Sequence, residues 1–372
     1  MRREWAIYAV LAALLMAAQL AAQLERPRPQ GVRPGINVAH FRNSWQVLEP
    51  ITRGNLSIYP VVSTLKVDAS DFLTLDEGLA SGVVRVAERG QLDRGMQRRR
   101  PELEWPRPVE PSFDERARVN ELVLVNDSSQ PLILLAGEVV SGGKQTRIIG
   151  ADVVVPPHSA PIPLTVFCVE HGRWTAGGAG FSAAKAMAHP GIRREAQANQ
   201  SQQGVWDSVS RSVAQLGASA PTQSYLDALE SPKAKRELEQ FAGSFQADYE
   251  RELRAKLQGR DAVGVIVAIN GELVWSDVFP SSDLFHKYWP KLLRSYVLEA
   301  EGSGRGVKNV PSTKQALAYL LEDVGRASIR TEPGAYRRTE ISGDEYKIVA
   351  LEALFKSGNG GLLAHYNKMA IG

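Results

Sequence analysis

The chain has 372 residues, 44% of them hydrophobic and 23% charged, an ordinary globular composition with ample length to bury a core. Lys and Arg total 44 against 41 Asp and Glu, and a net charge of +3 makes no strong case for nucleic acid, whose binding usually needs a concentrated basic face. Cys168 is the only cysteine, which excludes an intramolecular disulfide, and the six histidines are scattered without zinc-like spacing, so neither a metal nor another cofactor is expected.

The N-terminus reads as an export signal. Met1-Arg2-Arg3 is a short positive region, Trp5 to Leu20 is apolar apart from Gln19, and small residues follow at Ala21-Ala22. Residues 1–23 are therefore a signal peptide, or an uncleaved anchor, since about 18 apolar residues just span a bilayer. Either way the body is expected outside the cytoplasm, periplasmic or secreted, and contact with a membrane is expected only through this segment. Residues 24–35, with three prolines, read as an extended linker.

From residue 36 the text turns β-rich. Leu56 to Val62 and Gly82 to Ala87 are strand-like, and Leu73 to Leu79 is a short helix or the approach to a strand. Residues 93–113 hold Arg98-Arg99-Arg100 and Trp105 in a proline-broken stretch; charge runs of this kind are usually solvated loops. The strongest strand signal covers 118–174: Val119–Val125, Leu132–Val140, Gln145–Val155 and Leu164–Glu170, each separated by turn residues. Short strands in such order predict an antiparallel meander or sandwich.

Residues 175–204, rich in Gly, Ala, Ser and Gln, read as a loop lying over the body. Helix follows across 205–257. Ser231-Pro232 is a good helix start, and Leu238, Phe241, Phe245, Tyr249, Leu253 and Leu257 form one apolar stripe. Asn270-Gly271 between apolar runs signals a hairpin. Helices are expected at Ser282–Ala300, starting or kinking at Pro290, and at Ser312–Gly325, with two or three strands between Ser328 and Met369. The expected fold is α+β: a β-rich part at 36–174 and an α+β part at 175–372, packed as one domain.

One polar constellation stands out within the meander. Glu138 lies near a strand end, Lys144, Gln145 and Arg147 open the next strand, and Glu170, Arg173 and Trp174 close the last. Lys and Arg suit a phosphate or carboxylate, Glu138 and Glu170 are candidate acid and base, and Trp174 offers a stacking face. The plainer reading of the same residues is a set of ion pairs that staple the meander. Cys168, between Phe167 and Val169, reads as a small buried hydrophobe rather than a nucleophile.

The stretch Gly137-Glu138-Val139-Val140-Ser141-Gly142-Gly143-Lys144-Gln145-Thr146-Arg147, followed by Cys168-Val169-Glu170-His171-Gly172-Arg173-Trp174, resembles the ARPP family, the ADP-ribosylglycohydrolase and rhodanese-phosphatase-superfamily-associated protein domain. Gln203-Gly204-Val205-Trp206 and Phe285 to Tyr296 add weaker matches, and the similarity runs from about residue 36 to the C-terminus. The resemblance implies handling of an ADP-ribose-like or other phosphorylated small molecule, with Glu138, Lys144, Gln145, Arg147, Glu170, Arg173 and Trp174 as motif positions. An export signal departs from the intracellular setting of ADP-ribose chemistry. Two functions are therefore carried forward: an exported protein that binds or processes an anionic small molecule, and a non-catalytic exported binding or scaffold module. No Gly-x-Ser-x-Gly elbow is present to favour a serine hydrolase.

Overall fold

Two large antiparallel sheets are accompanied by a short third one. The computed structural model describes residues 36–88, 121–143, 145–170, 180–215, 224–257, 260–304, 309–332, 335–354 and 361–371. The export segment 1–23, the linker 24–35 and the loop 93–113 lie outside the described residues.

The chain opens with helix α1 (Ile36–Ser44) and strands β1 (Trp45–Val47), β2 (Ile51–Arg53), β3 (Leu56–Ser63) and β4 (Leu73–Thr74). Helix α2 (Leu75–Ser81) and β5 (Val84–Glu88) follow, then β6 (Glu121–Asn126), β7 (Leu132–Leu134), β8 (Glu138–Gly142), β9 (Arg147–Ile149), β10 (Val153–Val155), β11 (Ile162–Cys168) and β12 (Phe181–Met187). A helical block comes next: α3 (Pro190–Arg194) runs into a π-helical turn (Glu195–Asn199), then α4 (Gln202–Gln215), α5 (Tyr225–Glu230) and α6 (Pro232–Leu257). The last part holds β13 (Ala262–Ile269), β14 (Glu272–Val278), α7 (Ser282–Gly302), α8 (Thr313–Leu321), β15 (Arg326–Glu332), β16 (Tyr336–Ser342), β17 (Tyr346–Ala353) and β18 (Leu362–Ala370).

The larger sheet has nine strands, in the order β1-β3-β13-β14-β18-β17-β16-β15 with β2 on β3. Strands from both ends of the chain thus share one sheet. One face packs on α6 and α7, and the opposite face on α1 and α8. The six-stranded sheet β12-β8-β9-β11-β6-β5 packs one face on α2 and the other on α3 to α5. The α+β, β-rich architecture is as the turn pattern predicts.

Local chemistry explains most elements. The stripe on α6 buries Phe245, Tyr249 and Leu253 against α7, where the Tyr249 and Trp289 rings lie 4.5 Å apart. Asn270 (φ 53°) and Gly271 (φ 80°) form the left-handed turn of the β13–β14 hairpin, the conformation that an Asn-Gly pair favours. Helix α7 runs through Pro290 rather than starting there. Leu73 and Thr74 form a strand, and Thr74 then caps α2 in a reciprocal box with Glu77, so that segment is both of the predicted alternatives in succession.

Four expectations are corrected. Leu132–Val140 is two strands: Leu132–Leu134 joins the three-stranded sheet β10-β7-β4 and Glu138–Gly142 joins the six-stranded sheet. The break falls at Gly137, whose φ of 93° no strand accommodates. Gln145–Val155 is likewise divided, into β9 and β10. Both segments cross between sheets at a bend, as corner strands do. The region read as a loop contains β12, α3 and the π-helical turn, and the tail holds four strands rather than two or three.

Candidate functional site

The motif residues divide between neighbourhoods. Glu138 is buried, accepts the Leu135 N–H at 2.6 Å and pairs with Lys291 Nζ at 2.5 Å; Lys291 also reaches Asp76 at 2.8 Å. Burial pushes the Glu138 carboxyl up, while Lys291 pulls the other way. Gln145, Arg147 and Glu170 come together elsewhere. The fully buried Arg147 donates to the Gln145 carbonyl at 3.2 Å and lies 3.5 Å from Glu88; Glu170 accepts the Thr146 N–H at 3.1 Å, and its carbonyl accepts from Gln145 at 3.0 Å. These contacts staple β9 to the end of β11. Lys144, Arg173 and Trp174 lie outside the described residues. Cys168 is buried, and burial pushes its thiol up.

A denser network lies where the two large sheets meet, and the sequence reading missed it. Asp277 on β14 receives both guanidinium nitrogens of Arg193, at 2.8 and 3.0 Å. It also accepts from Trp275 at 3.0 Å, Asn367 at 3.0 Å and the Tyr296 hydroxyl. His365 lies between two carboxylates, with Nδ1 2.8 Å from Asp152 and Nε2 3.1 Å from Asp277. Arg193 Nε reaches the Ala136 carbonyl at 3.0 Å, and Asp152 accepts the Ala136 N–H at 2.7 Å. Burial opposes every one of these charges. The two carboxylates nevertheless raise His365 to about 9, and Arg193 and His365 hold Asp277 far below the usual carboxylate range. Two cations and two anions balance, so the network is neutral and closed. Gly137 makes room for it: a Cβ there would meet Arg193 Cγ at 2.4 Å.

The arrangement best suited to chemistry is a third cluster, on the outer side of the same helix. His189 precedes α3, with Pro190 at the first helical position. Its Nδ1 bonds the Glu299 carboxylate of α7, which also accepts the Gly191 N–H at 2.8 Å. Its Nε2 lies 2.5 Å from Ser212 Oγ on α4, and that hydroxyl also lies 2.9 Å from the Ser208 carbonyl four residues back. His189 attraction outweighs burial and holds Glu299 down to about 2. The three side chains line a cavity of about 260 Å³, together with Arg194 and Arg211. Arg194 Nε is buried there without a hydrogen-bond partner, and Arg211 donates to Ser208 Oγ at 2.8 Å. Glu195 and Glu301 also line the cavity.

The order carboxylate–imidazole–hydroxyl permits proton relay. With Ser212 donating to the Ser208 carbonyl, both His189 nitrogens donate and the ring is an imidazolium. With Ser212 donating to Nε2, the ring is neutral and Nδ1–H still meets Glu299. The two arrangements differ by one proton, gained or lost at Nε2, while Nδ1–H stays on the Glu299 carboxylate. Among the described residues no group of three or more His, Cys, Asp or Glu side chains is arranged to hold a metal ion, and no helix is long and apolar enough to cross a membrane.

His189, Ser212 and Glu299 have no shared local signal, because Glu299 lies 110 positions beyond His189. The one available clue was His189-Pro190, a helix-start dipeptide inside a segment whose Gly and Ala content suggested a loop.

Fold and site together define an α+β protein of two antiparallel sheets, joined by a buried ion network beside a cavity with an imidazole–carboxylate pair. The chain belongs to the ARG and Rhodanese-Phosphatase-superfamily-associated Protein domain family, whose model matches residues 44–366. No curated protein and no solved structure matches it significantly.

Proposed function

We propose that this chain binds a phosphorylated or otherwise anionic small molecule in the His189 cavity, and that the Glu299–His189 pair moves a proton there. The observation that carries this reading is His189, held between a carboxylate and a hydroxyl on the wall of a cavity that also presents two guanidinium groups. Arginine suits phosphate and carboxylate through paired donors. The family description, with its reference to a phosphatase superfamily, supports a phosphorylated ligand and makes ADP-ribose-like compounds the first to test. The export-like N-terminus supports work outside the cytoplasm, on ligands available there.

Calorimetric titration with ADP-ribose, sugar phosphates and small carboxylates tests the reading, alongside product analysis. Binding should weaken at least about tenfold in the double variant Arg194→Gln/Arg211→Gln. Turnover should fall in His189→Asn with binding kept. Absence of binding across the panel would overturn the proposal.

A second reading has its own observation: Glu138, Arg147 and Glu170 are buried and bonded within the fold. That favours a structural role for these motif positions, compatible with a non-catalytic module. Under it, His189→Asn changes stability or partner binding and no turnover.

A further inference from the structure

A smaller cavity of about 120 Å³ adjoins the His189 cavity, and the two share Leu238 of α6 and Leu298 of α7 as walls. Lys291 lies in its lining with its ammonium group fixed by Asp76 and Glu138. Lys185 and Arg294 line it from exposed positions. Lys235 lines it too but is paired with Glu230 at 3.1 Å, which leaves Glu239 as the other acid on the wall.

Lys185 is placed there at a cost. Strand β12 pairs with β8 at Ala183↔Val140 and again at Met187↔Glu138, so residues 184–186 bulge opposite Val139 alone. All three bulged residues line the cavity, and Lys185 has a φ of 52°. The left-handed region disfavours any side chain with a Cβ, and glycine would enter it freely. Bulges re-aim side chains, and strain retained in one calls for a use.

We propose that this cavity receives a second anionic group of the ligand bound beside His189. The ligand is then a linear small molecule with phosphate or carboxylate at both ends and a less polar middle lying across Leu238 and Leu298. Lys185 and Arg294 hold the far anion, and Arg194 and Arg211 the near one. This inference rests on the His189 cavity being the binding site.

The test uses the full chain and a series of linear alkanediols phosphorylated at one end or at both, titrated calorimetrically. The best bisphosphate should bind at least about tenfold more tightly than its monophosphate, through the effective concentration of the second group. Lys185→Gly and Arg294→Gln should each reduce that advantage and leave the monophosphate affinity unchanged. Lys185→Gly should also raise Tm, because it relieves the left-handed backbone. Monophosphate binding with no gain for any bisphosphate overturns the second site and leaves the His189 reading standing. So does a rise in Tm for Lys185→Gly with the bisphosphate advantage intact. Binding of neither probe overturns both.

Discussion

Asp277 organises more of this molecule than any other side chain described. Five neighbours donate to or approach its two oxygens, and every one of them is buried. Asp277→Asn would leave the buried Arg193 without its paired carboxylate and His365 with Asp152 alone. A loss of about 3–5 kcal/mol is expected, measurable by urea unfolding. Two groups illustrate the two sides of the pH dependence. His365 is raised to about 9 by Asp152 and Asp277 against burial, above an unfolded value of ~6.5. Its contribution is complete below about pH 6.5 and is lost as pH rises through 9. Glu299 is held down to about 2, below an unfolded value of ~4.3, so its contribution is present above about pH 4.3 and is lost as pH falls through 2. Unfolding midpoints measured against pH should decline on both sides of this window, and Glu299→Gln should lessen the acid-side decline and leave the alkaline side unchanged.

At the scale of elements, the places where the chain changes sheet matter most. Gly137 turns β7 out of one sheet and β8 into another, and its missing Cβ admits Arg193. Gly137→Ala meets both a left-handed backbone and the Arg193 side chain, and should cost more than Gly54→Ala in the β2–β3 hairpin turn, which meets only the first. The hairpin substitution is expected to cost about 1–2 kcal/mol, and a comparison of the two by chemical denaturation checks the difference. Ser312→Ala removes a cap that Gln315 reciprocates on α8, with an expected loss of about 1 kcal/mol. Caps, the Asn-Gly turn and the α6 stripe were legible in sequence because their causes lie within a few residues. The split of Leu132–Val140 was not, since an apolar run reads the same whether one sheet receives it or two.

At the scale of the molecule, the Arg193–Asp277 and Asp152–His365 pairs bind the two large sheets into one unit. Calorimetry of the native chain should show a single transition. Arg193→Met, which removes the donor from α3, should lower the midpoint and broaden or divide the transition, because each large sheet has an apolar cluster of its own. The export reading belongs to this scale too. A reporter active only outside the cytoplasm, fused to residues 1–40, should be active, and deletion of residues 1–23 should silence it; an inactive fusion would argue against export.

The sequence by itself determined the β-rich α+β class, the family, the hairpin, the long amphipathic helix and the polar character of the 138–170 segment. Those features rest on local propensity and on short motifs, which a linear text records. Only the tertiary structure decided that Glu138 turns to Lys291 while Arg147 turns to Gln145 and Glu88, and that His189, Ser212 and Glu299 converge from three helices. Such contacts join residues far apart in the chain. Their free energy is gained only when the sheets have closed on one another, so no local pattern announces them.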